Sequence, residues 1–178
     1  MKVKNKIDKK WVLTIIIVAF LISLVFSVVS DALIPNVSLY FSIILLILVI
    51  LLGIIFDMVG VSVTVADIKK FNSMAAQKIK GATLGVRFIK NADRVSSFCN
   101  DVIGDICGIV SGTIGITISF SIARRFPINP SAVTLTITAL IASITIGGKA
   151  IGKTIAINHS NNILLKFVKL VNLFQRIK

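Results

Sequence analysis

With 178 residues, 56% hydrophobic and 15% charged, and a mean hydropathy of +0.97, the chain is too apolar for a soluble globular domain, in which about 25% of residues are charged. Its formal charge of +13 fits Lys and Arg gathered on cytoplasmic segments beside anionic lipid, and does not call for a nucleic-acid partner. Two cysteines and one histidine exclude a disulfide framework and a histidine metal cluster.

The chain opens on MKVKNKIDKK, which holds five lysines, and continues into an uncharged apolar run from Trp11 to Val29. A run of that length crosses a bilayer as a helix. The rival reading is a signal peptide, with SVVSDA supplying small residues for cleavage. The apolar core outruns the usual signal h-region of about 7–15 residues, so we expect a retained first span with Trp11 as an interfacial anchor. Residues 1–37 then form an N-terminal unit, and residues 38–178 the main transmembrane domain. DALIPNVS is a short turn without Lys or Arg, and the second span runs from Leu39 to Phe56 and on towards Thr64.

Next comes ADIKKFNSMAAQKIKGATLGVRFIKNADR, with seven Lys/Arg. Its apolar residues Ile68, Phe71, Ala75, Ile79, Ala82, Val86 and Ile89 recur every three or four positions. One face is apolar and the other basic, as in a helix lying in the membrane interface. Gly81 and Gly85 are the places where it bends or breaks.

The third span is expected from Phe98 to Ala123. Gly104, Gly108, Gly112 and Gly115, with Ser111, make an overlapping run of small residues that lets another helix approach closely. RRFPINP forms a turn with Pro127 and Pro130 as breakers. The fourth span, Ala132 to Gly147, carries Thr134, Thr136, Thr138 and Thr145. The tail NNILLKFVKLVNLFQRIK repeats the amphipathic pattern, with Ile163, Phe167, Leu170, Phe174 and Ile177 as its stripe, and NHSNN before it starts the helix. Cys99 and Cys107 lie about 12 Å apart along one helix, too far to bridge, and read as small apolar packers. His159 reads as a polar surface residue.

Lys and Arg number five before span one, seven between spans two and three, and six after span four; the outer loops hold none and two, the latter Arg124 and Arg125. The charge asymmetry places both termini in the cytoplasm.

The chain has seven acidic residues, all aspartate. Asp101 and Asp105 lie one turn apart in SSFCNDVIGDICGIVSG, with Asn100 beside them. Asp105 falls roughly 10 Å inside the cytoplasmic end of span three, and Asp57 at a similar depth in span two. Lys149 sits at the cytoplasmic end of span four. An ionised carboxylate at that depth costs several kcal/mol unless paired, hydrated or neutralised. Carboxylate and amide oxygens suit a hard cation such as Mg²⁺; equally, Lys149 neutralises Asp105 or Asp57 in a buried ion pair.

The order VTVADIKKFNSMAAQKIKGATLGVRFIKNADRVSSFCNDVIGDICG resembles the transmembrane domain of the CorB/CorC and cyclin M magnesium transporters. In that family a span ends in Ser-x-Ser-Glu, a basic segment runs to Asn-Pro-Glu-Arg, a Gly-Asn pair enters the next helix, and the last span ends in Gly-Glu-x-x-Pro-Lys. SVTVADIKK, KNADR, Gly104-Asp105 and GKAIGKTIA (Gly148 to Ala156) occupy those places, and the likeness covers about residues 40 to 175. The departures are specific. Asp57-Met58-Val59-Gly60 stands at the Ser-x-Ser-Glu place, Lys149 replaces the second glutamate and Gly152 the proline. The family's pair of CBS modules is not among these residues.

The resemblance implies a homodimeric divalent-cation (Mg²⁺/Co²⁺) transporter in the cell membrane, and a separate cytoplasmic regulatory partner in place of the CBS modules. The expected fold is all-α: an integral membrane protein with four transmembrane helices and basic amphipathic helices after spans two and four. Asp57, Asn100, Asp101 and Asp105 are the expected ligands of a cytoplasm-facing cation pocket, with Mg²⁺ as the bound or transported ion. No other cofactor is expected. The alternative is a non-transporting relative acting as a membrane scaffold or regulatory subunit. No nucleophile–base arrangement or phosphate loop is present in the sequence, so no enzyme activity is expected.

Overall fold

The computed structural model describes residues 9–33, 38–126 and 129–176, and every element in them is helical. In chain order these are α1 (Lys9–Leu33), α2 (Leu39–Val65), α3 (Ile68–Ala76), α4 (Ala82–Lys90), α5 (Ala92–Ser97), a π-helical segment (Phe98–Ile103), α6 (Gly104–Ala123), α7 (Pro130–Asn158) and α8 (Ser160–Arg176). Three helices are long and apolar enough to cross a membrane: α2, the continuous rod Ala92–Ala123 formed by α5, the π segment and α6, and α7. Four had been expected. In α1, a helix of 25 residues, the described apolar stretch is Lys10–Val25. Residues 1–8, 34–37, 127–128 and 177–178, and with them the expected breaker Pro127 and the stripe residue Ile177, lie outside the described residues.

The spans overrun their expected ends. α7 begins at Pro130, whose fixed φ and missing N–H suit a first helical position, and the Asn129 side chain caps it by accepting from the Ser131 N–H at 3.0 Å. It then continues to Asn158, eleven residues past Gly147. Its threonines Thr134, Thr136, Thr138 and Thr145 donate back to carbonyls of their own helix. The Ser119 and Thr134 hydroxyls also meet at 2.9 Å, tying α6 to α7.

The central core is a stripe at four-residue spacing, Val102, Ile106, Val110, Ile114 and Ile118, packed on Ile15, Ala19 and Ile22 of α1, on Leu45, Leu46 and Val49 of α2, and on Ile137 of α7. In lipid such a stripe is held by close van der Waals packing, because tails are as apolar as the side chains they replace.

The basic segment breaks at Gly81, one of the two glycines where a break is expected, and runs on as helix through the other, Gly85. α3 ends in a Schellman turn: Ile79 N–H donates to the Met74 carbonyl and Lys78 N–H to that of Ala75, both at 3.0 Å. Lys78 takes the left-handed position at φ 57°, where glycine is usual, and Gly81 follows at φ 83°. For a lysine that conformation costs about 1–2 kcal/mol. α4 therefore folds back on α3, and the Phe71 ring lies where a Cβ at Gly85 would be. The apolar stripe covers the end of the bundle: Phe71 joins Val59, Val63, Cys99, Leu164 and Val168 in a second buried cluster. In α8 the buried apolar positions are Leu164 and Val168, with Ile163 and Phe167 partly buried and Leu170 exposed, so its stripe is rotated from the expected one; the Phe174 side chain lies outside the description. Asp67 caps α3 by accepting from Lys69 N–H at 2.8 Å, while its own N–H donates to Asn161 Oδ1 at 2.9 Å, which joins the α2–α3 corner to the start of α8. Arg94 stacks over the Trp11 ring at 6.0 Å, so the start of α1 lies at the same end of the bundle as α8.

Candidate functional site

The π segment is the one departure from α-helical winding inside a span. Its last hydrogen bond runs from the Gly104 N–H to the Cys99 carbonyl. Single π turns inside α-helices recur at functional sites because they re-aim side chains. Here the turn separates Asn100 from its acidic neighbours. Asn100 faces α2, where a Cβ on Gly60 would collide with its side-chain amide. Asp101 and Asp105 are left exposed.

Asp57 is three residues before Gly60, one turn away on the same face of α2, and is 4% exposed. Its Oδ2 and the Oδ1 of Asn100 are both buried without a hydrogen-bond partner. Asn100 Nδ2 donates to the Ser96 hydroxyl at 3.3 Å, which leaves only the acceptor end unanswered. Two orphaned acceptors bordering one turn of α2 call for a donor or a cation, since an unmade bond to a buried polar atom costs about 1–3 kcal/mol and more when the atom is charged. A third orphan, the Ser62 hydroxyl, lies five residues on from Asp57.

The nearest positive charge comes from α7. Gly148 and Gly152 let this helix close on α2: a Cβ at Gly152 would stand 2.9 Å from Met58 Cγ, and one at Gly148 would strike Ile54. Lys153, next in line, brings its Nζ to 4.0 Å from Asp57 Oδ2, with its own side chain 53% exposed. At that distance it is an ion pair without a hydrogen bond, and the open lysine is free to swing into water. Lys149, one turn earlier, points elsewhere; its Nζ would be 3.4 Å from a Cβ on Gly104. Asp57 and Asn100 each lie eight residues inside their helix ends, Val65 and Ala92, or about 12 Å along the axis.

Of the four expected ligands, then, Asp57 lies on and Asn100 packs against the same turn of α2, whereas Asp101 and Asp105 are exposed. No group of three His, Cys, Asp or Glu side chains able to hold a metal occurs among the described residues. The side chains bordering that turn are one carboxylate, one amide and a half-exposed lysine. Mg²⁺ keeps several of its waters and is commonly held by one or two carboxylates, so the donor set fits a partly hydrated hard cation and not a caged one. Sequence reasoning missed Lys153 by ending span four at Gly147; its spacing of four from Lys149 was the available signal. Cys99 and Cys107 are buried free thiols, as expected of packers, and His159 is exposed at the end of α7.

No family model matches the chain, and no curated protein or solved structure matches it.

Proposed function

We propose that the chain is a multi-pass protein of the cell membrane that takes up a hard divalent cation, Mg²⁺ first, at Asp57 and Asn100, as its resemblance to CorB/CorC transporters implies. The observation that carries this reading is the pair of orphaned acceptors, Asp57 Oδ2 and Asn100 Oδ1. Lys153 holds the carboxylate when the ion is absent and withdraws into water when it arrives. α1 serves as a fourth span. Both termini are cytoplasmic, in keeping with Trp11 lying beside Arg94 at the α8 end of the bundle. No nucleic acid partner, further cofactor or catalytic group is part of this reading.

The test is Mg²⁺ flux into proteoliposomes. Asp57→Asn should abolish it. Lys153→Met, which removes the ammonium that competes for Asp57, should raise it. Equal flux in wild type and Asp57→Asn would remove Asp57 from the ion path.

A second reading, the non-transporting scaffold or regulatory subunit, is favoured by the Lys153–Asp57 contact itself: there the lysine is the permanent substitute for the ion. Flux absent from wild type and from Lys153→Met alike would select it.

The homodimer is proposed on the open face of α6. Asp101, Asp105 and Gly108 are exposed along one face, Gly112 continues it, and neither glycine has an atom within 4 Å of a Cβ position. Gly115, by contrast, is pressed against Ile141 of α7. A second copy laid on that stripe would hide the carboxylates from lipid. Gly108→Leu should therefore break dimers in cross-linking while leaving the monomer folded, whereas Gly115→Leu should lower monomer stability itself. Intact dimers in Gly108→Leu would place the interface elsewhere.

A further inference from the structure

The corner between α3 and α4 meets α8 around a cavity that the cation site does not use. Its volume is about 660 Å³, and Ile79, Lys80, Lys169, Asn172 and Leu173 line it. The corner is held rigidly. The Schellman turn fixes Lys78 and Ile79, and at left-handed Gly81 a Cβ would lie 3.1 Å from the Val168 carbonyl and the Lys169 nitrogen. That close approach sets Lys80 and Lys169 on two walls of one cavity. Among the described residues, neither has an acidic side chain within ion-pair distance, and no acidic residue lines the cavity. The lining is amphipathic: two ammonium groups and an amide, with Ile79 and a 59% exposed Leu173 beside them.

Its place in the fold narrows the ligand. α3 and α4 connect the end of α2 to the start of the next rod, and α8 follows the end of α7. The cavity is therefore at the end of the apolar helices, where lipid headgroups lie. We infer that it binds the headgroup of an anionic phospholipid: Lys80 and Lys169 donate to the phosphoryl oxygens, Asn172 to a headgroup oxygen, and Ile79 and Leu173 pack on the first methylenes of the acyl chains. A cavity of this size falls within the usual range for small-ligand sites, about 300–1,000 Å³, and two lysines on separate walls suit a phosphate as point charges with freely turning donors. The inference does not depend on the cation reading.

The probe is native mass spectrometry of the purified chain in detergent, with phosphatidylglycerol and phosphatidylcholine in equal amounts. Wild type should retain phosphatidylglycerol preferentially. Each lysine near an anionic headgroup is worth about fivefold in affinity, so Lys80→Gln with Lys169→Gln should weaken phosphatidylglycerol roughly 25-fold and leave phosphatidylcholine unchanged. Lys70→Gln with Lys166→Gln removes the same charge outside the cavity and should shift binding less than about twofold. Equal loss in both pairs would reduce the effect to diffuse surface charge and overturn the site. So would unchanged binding in the cavity pair, or displacement of the lipid by a millimolar excess of inorganic phosphate.

Discussion

Gly60→Leu should lower the stability of the protein in detergent by about 3 kcal/mol, the upper part of the range for overpacking a filled interior. The cause is local. The position its Cβ would take is already held by the Asn100 amide, and Asn100 is fixed by the π turn and by its bond to Ser96. Either α2 moves away from the π segment or Asn100 is driven out of its place. Adding Asn100→Ala should recover a sizeable part of the loss, because it removes the atoms in collision; two such neighbours are expected to couple by about 0.5–3 kcal/mol. Thermal unfolding of the two single variants and the double checks this. Wild-type stability in Gly60→Leu would mean that the π segment does not pack on α2.

The second large effect is expected at the ion pair. Asp57 is buried and Lys153 half exposed, so the two members should behave unequally. Removing one partner of a fully buried pair costs about 3–5 kcal/mol. Here the open lysine is screened by water, which reduces the value to about 1–2 kcal/mol for Lys153→Met. Asp57→Asn removes the charge while keeping the shape, and Asp57→Asn with Lys153→Met should be more stable than Lys153→Met alone, since no uncompensated carboxylate then remains. Strictly additive losses in the unfolding cycle would show that the 4.0 Å approach carries no energy.

The helical class and the three strongest spans were legible because apolar runs of that length have one stable form in lipid. Helix ends were read less well. Thr154, Ile155, Ala156 and Ile157 continue α7 beyond the lysines, and long lysine stems are compatible with a helix at its membrane end, so the charges at 149 and 153 did not mark a boundary. The break in the basic segment was legible at Gly81, but its fold-back was not, because the apolar spacing is unbroken across that glycine. The turn at Lys78 depends on a lysine accepting left-handed backbone, against its own preference. The π turn has no local signature in FCNDVI, and without it Asn100, Asp101 and Asp105 read as one polar cluster. Packing of Asn100 into the gap at Gly60 is a tertiary fact, and it decides which of them enters the site.

The central claim is that a hard cation meets Asp57 and Asn100. The most direct measurement is the unfolding temperature of the purified chain in Mg²⁺, against K⁺ at matched ionic strength, for wild type and Asp57→Asn. At a tenfold excess over its dissociation constant, a ligand of the folded state adds about 1.4 kcal/mol, which for a chain of this size is roughly 3–6 °C. A saturable rise of that order in wild type, absent in Asp57→Asn, is the expected result. The same Mg²⁺ response in both proteins, or none in wild type, would contradict a cation site at Asp57.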